Sequence, residues 1–82
     1  MESTAFIRAT AALVEKIELN RNTMATTSEL QSQRESLQKE INQLFSGLQN
    51  PTLPSAFKLR DVAMRNGFQV SPTALNRLAQ FE

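Results

Sequence analysis

Apolar residues recur along the first third of the chain at helical spacing. Phe6, Ala9, Leu13 and Ile17 are separated by steps of three and four, and Ile7 and Val14 widen the stripe. This pattern predicts an amphipathic helix over residues 4–19, with Ser3 or Thr4 as its cap and with Arg8, Glu15 and Glu18 away from the apolar stripe. Residues 20–28 break the pattern. Their Asn and Thr side chains compete with the backbone for hydrogen bonds and favour caps and turns. Thr26 with Glu29 three residues later matches a capping box, so a loop and a fresh helix are expected. The alternative is one long bent helix, because no Gly or Pro interrupts residues 2–46. The hairpin is the favoured reading.

The second apolar pattern is the clearest. Leu30, Leu37 and Leu44 fall seven apart, and Ile41 and Leu48 follow the last two by four residues. In a heptad frame the leucines take d positions, Arg34, Ile41 and Leu48 take a positions, and Phe45 borders the seam. Gln31, Gln33, Glu35, Gln38, Lys39 and Gln43 make the opposite face polar. Three heptads barely suffice for a coiled coil. The seam is therefore expected first as core of its own domain, and second as a dimer or partner-binding surface.

Beyond it lies a connector. Gly47 sits where a helix should end, and residues 49–55 hold Pro51 and Pro54. Charge changes here too: residues 1–50 carry five basic and six acidic side chains, residues 51–82 four and two. Phe57, Leu59, Val62 and Ala63 mark a short helix that ends at Asn66-Gly67. Phe68 and Val70 should plug the angle before Ser71-Pro72 opens a last helix, with Leu75, Leu78 and Ala79 facing inward. The expected fold is all-α: a single small helical bundle over residues 1–82. Its antiparallel helical hairpin (1–50) and Pro-containing connector (51–56) precede a short helical pair (57–82).

Composition removes most chemistry. The 82 residues include no Cys and no His, so thiol chemistry, the usual metal ligands and the usual general base near neutral pH are missing. Two glycines twenty positions apart make no phosphate loop. Glu15 and Glu18 share a helical turn, but a solvated face explains both, and no second ligand pair matches them. No catalytic residue, metal site or cofactor is expected, and the chain is read as non-enzymatic. A net charge of +1 supplies no strong field for nucleic acid or membrane. The longest apolar-leaning run, Ala9–Val14, is far short of the roughly 20 residues a membrane span needs. No Lys/Arg cluster precedes an apolar core at the start, so a cytoplasmic protein without a membrane partner is expected.

The segments Leu59–Gly67 and Val70–Leu78 resemble the helix-turn-helix of repressor-like DNA-binding proteins. The likeness spans about 20 residues and rests on Ala63 at the helix contact, Gly67 at the turn and Ser71-Pro72 opening a recognition helix. It implies that Thr73, Asn76, Arg77 and Gln80 face the major groove while Lys58, Arg60 and Arg65 touch phosphates. The chain departs from that group by two extra residues between glycine and serine. It also has four cations in this half, where specific binders commonly make about six to ten phosphate contacts. The primary expectation is therefore a protein–protein interaction module that self-associates or binds a helical partner chain through its amphipathic helices. A dimeric DNA-binding regulator is the second.

Overall fold

The computed structural model describes residues 2–22 and 27–81. Four helices follow one another, α1 (Glu2–Asn22), α2 (Thr27–Ser46), α3 (Pro54–Arg65) and α4 (Pro72–Ala79), with no strand among the described residues. The fold is an all-α bundle led by a helical hairpin: α1 packs on both α2 and α3, and α4 packs on α3. Two cross-hairpin bonds fix the antiparallel register. Asn20 Nδ2 donates to Gln33 Oε1 at 3.0 Å, and Lys16 Nζ reaches Glu40 Oε1 at 2.9 Å, so the partner number rises as the α1 number falls. The Lys16–Glu40 pair is exposed and is worth at most about 1 kcal/mol. Burial of apolar surface, not this pair, holds the hairpin shut.

The inward face of α1 differs from the sequence pattern. Thr10, Leu13, Val14, Ile17 and Asn20 are buried, whereas Ala9 and Ile7 are exposed. Leu13, Val14 and Ile17 of the expected stripe are inside and Phe6 is half-buried, while Asn20 is buried with Gln33 as its polar partner across the hairpin. The Thr10 hydroxyl is buried without a hydrogen-bond partner, and nothing in its surroundings explains it. α1 already begins at Glu2, so positions 3 and 4 fall inside the helix, and it runs on to Asn22, past the expected stop. Thr26 of the expected capping box lies outside the described residues.

On α2 the side chains of Leu37, Ile41 and Phe45, with Leu48 just beyond it, enter the core, where Ile17, Ile41, Leu59 and Leu78 are wholly enclosed. Gly47 directly follows the end of α2, as expected, and does so without a left-handed conformation; among the described residues Gly67 alone has a positive φ. Connector and α3 meet in a compact turn: Thr52 N–H donates to Asn50 Oδ1 at 3.1 Å, and Leu53 N–H to the Asn50 carbonyl at 3.3 Å. Pro54 then starts α3 with its fixed φ and no orphaned N–H.

The α3–α4 corner follows its sequence signals closely. Phe68 N–H donates to the Ala63 carbonyl and Gly67 N–H to the Met64 carbonyl, closing α3 in a Schellman motif. Gly67 has φ of +82°, where a side chain is strained, and a Cβ there would meet Arg34 Nη2 at 3.3 Å. Gly67→Ala is therefore expected to cost about 1–2 kcal/mol, measurable in urea unfolding. An unchanged midpoint would mean that the corner is not held in this conformation. Phe68 and Val70 are buried as expected, and Ser71 Oγ caps α4 by accepting from Ala74 N–H. Ala79 is exposed, and Ala74 takes the inward place with Leu78.

Candidate functional site

The heptad seam divides into three parts. Leu37, Ile41, Phe45 and Leu48 are enclosed by this chain's own helices. Leu30, Arg34 and Leu44 are half-buried; the first two share one surface hollow and Leu44 faces another. Leu30 lines a shallow hollow with Arg34, Gln38 and Phe68. Arg34 turns toward the α3–α4 corner, where its Nη2 donates to the Asn66 carbonyl at 3.0 Å and its guanidinium lies 4.1 Å from the Phe68 ring centroid. The acidic partner that an arginine in a seam demands is thus replaced by a helix-end carbonyl and a ring face. One turn on, Gln38 grips the same corner twice. Its Nε2 donates to the Gln69 carbonyl and its Oε1 accepts from Gln69 N–H, both at 2.9 Å.

Leu44 points elsewhere, into a groove of about 480 Å³ between the start of α1 and the end of α2. Ala5, Phe6 and Ala9 form one wall, Leu44, Gly47 and Leu48 the other, and Leu53 of the connector closes one end. Gln43, Gln49 and Asn50 supply the polar groups, and no charged side chain lines the groove among the described residues. Its existence follows from the local sequence. Gly47 has no side chain to fill the gap, and the Asn50-centred turn bends the chain so that Leu53 returns toward α1. Phe6, Leu44 and Leu53 are each only half-buried, touching the core on one side and the groove on the other.

The residues that the helix-turn-helix resemblance singles out divide into exposed side chains and two arginines engaged within the fold. Lys58, Arg65, Thr73, Asn76 and Gln80 are exposed. Arg77 is half-buried, and its Nη1 donates to the Leu48 carbonyl at 2.8 Å, which ties α4 to the end of the hairpin. Arg60 is held by Asp61 at 3.1 Å and lies over the Phe57 ring at 5.2 Å. Two of the four cations are thus engaged within the fold.

The sequence pattern does not reveal the groove, because it places Phe6 and Ala9 inward and Leu53 in a connector. The available signal was the width of the apolar surface on α1: Ala5, Phe6 and Ala9 extend beyond what one neighbouring helix covers. Among the described residues no three His, Cys, Asp or Glu side chains gather to hold a metal ion, and no helix is long and apolar enough to cross a membrane. Compared with known proteins, the chain matches no family model, no curated protein and no solved structure.

Proposed function

We propose that this chain is a non-enzymatic protein-interaction module that takes an apolar helical segment of a partner protein into the groove beside Leu44. The observation that carries this reading is the groove itself: among the described residues, apolar side chains from α1, α2 and the connector line it together with the uncharged amides of Gln43, Gln49 and Asn50. Its volume falls within the roughly 300–1,000 Å³ usual for specific sites. A surface of that kind recognises an amphipathic helix by the i, i+3/i+4, i+7 spacing of its apolar side chains, while Gln43, Gln49 and Asn50 satisfy polar groups at the edge. Because the described lining residues are uncharged, their contacts with a partner should depend only weakly on salt.

The test is selection of a displayed library of amphipathic helical peptides on the wild-type chain, followed by binding to Leu44→Glu. Enriched peptides carrying the helical apolar spacing, which lose binding to the variant, support the reading. Failure to enrich any peptide, or equal binding to both proteins, overturns it.

A second reading, DNA binding through α4, is favoured by one observation. No acidic residue occurs from Val62 to Phe81, and Thr73, Asn76 and Gln80 are exposed on or beside α4. The engagement of Arg60 and Arg77 within the fold weighs against it, leaving Lys58 and Arg65 as the exposed cations of this half. Retardation of mixed duplex DNA at low salt, steeply salt-dependent and reduced by Asn76→Ala, would establish this reading in place of the first.

A further inference from the structure

The burial pattern of α1 leaves a second surface on the side facing away from the core. Ala5, Arg8, Ala12, Glu15 and Leu19 follow one another at steps of three and four, all of them exposed, with Leu19 at 66%. This stripe is complementary to its own reverse in size and in sign. Small Ala5 balances large Leu19, Arg8 balances Glu15, and Ala12 stands at the centre.

We propose that this outward stripe of α1 is a two-fold interface between two copies of the chain. In an antiparallel pair with its axis at Ala12, the two Ala12 side chains meet each other. Leu19 lies over the partner's Ala5 at each end. Arg8 comes within one residue of register with the partner's Glu15, twice by symmetry. A two-fold interface must be self-complementary, and an antiparallel pairing of this stripe satisfies that requirement in both volume and charge.

Within one chain the same two charges do nothing for each other. Seven residues of helix separate them by about 10 Å along the axis, and neither joins an ion pair among the described residues. Alanine at the crossing lets the helix axes approach to the short end of the usual 8–10 Å range. The seam is short, so the dimer is weak and its population depends on concentration. The inference does not rest on the groove reading: the stripe and the groove lie on neighbouring sides of α1 and share only Ala5 at their border.

The test is a charge swap read by sedimentation equilibrium across a wide concentration range, with circular dichroism to show that each variant folds. Wild type is expected to pass from monomer to dimer as concentration rises. Arg8→Glu and Glu15→Arg, each placing like charges together, should each weaken the dimer by about tenfold or more. The double variant R8E/E15R restores opposite signs and should return to within about threefold of wild type. Leu44→Glu should leave the dimer unchanged, which separates this interface from the groove. A wild-type chain that stays monomeric throughout overturns the proposal. So does a dimer that ignores the single swaps, or one that the double variant fails to restore.

Discussion

Leu37→Glu is expected to unfold the protein, whereas Leu44→Glu, seven residues along the same helix, is expected to leave it folded and unable to bind in its groove. The two leucines are equivalent in the heptad frame, and only their surroundings separate them. Leu37 is 5% exposed and packed in the core. Removing its side chain alone costs about 2–5 kcal/mol, and a carboxylate in its place adds a desolvation penalty. A chain of this length holds roughly 4–12 kcal/mol in total at about 0.05–0.15 kcal/mol per residue. The substitution therefore consumes most or all of the stability. At position 44 the new carboxylate can turn out through the groove into water, so the expected loss is about 1 kcal/mol. Thermal melts followed by circular dichroism give the comparison directly. Two variants with equal melting temperatures would mean that the seam is not covered as described.

The second large effect belongs to Arg34. Arg34→Ala removes a charge-assisted hydrogen bond to the Asn66 carbonyl and a cation–π contact with Phe68. Together these are worth about 2–3 kcal/mol, or a fall of roughly 10 °C or more in melting temperature for a domain of this size. Arg34→Lys keeps the charge but lacks the planar fork that lies over the ring while reaching the carbonyl, so it should recover only part of the loss. Coupling with the corner is expected as well. A Cβ at Gly67 would meet Arg34 Nη2, so the effects of Arg34→Ala and Gly67→Ala should not add. Strict additivity in that double-variant cycle would contradict the contact.

The corner that Arg34 holds was also the part of the fold most legible in the sequence. Asn66-Gly67 and Ser71-Pro72 act through local backbone chemistry, which needs no knowledge of distant residues, and both behave as their residue types require. The inward face of α1 was harder to read. Its true buried positions include Thr10 and Asn20, and a hydropathy pattern cannot anticipate that Asn20 meets Gln33 across a hairpin. Arg34 shows the same limit from the other side. Its spacing marked it as an anomaly in an apolar seam, but the carbonyl and ring that receive it lie more than thirty residues away. The groove was least legible of all, since it is a gap left where α1, the end of α2 and the connector fail to fill space. Its lining alternates with core positions on the same helices. Ala9 reads as an inward stripe position until the neighbours that do not cover it are known.

The groove also separates the two functional readings at the level of single residues. Binding there involves Leu44, Leu48, Leu53 and the alanines of α1, whereas DNA recognition engages α4 and leaves these side chains alone. Methyl-detected NMR of Ala- and Leu-labelled protein, titrated with a groove-selected helical peptide, reads both surfaces in one experiment. The account predicts that the methyl signals of Ala5, Ala9, Leu44, Leu48 and Leu53 move together while Ala79 on α4 stays in place. Groove methyls that stay unmoved by such peptides, with Ala79 shifting on addition of duplex DNA instead, would contradict it.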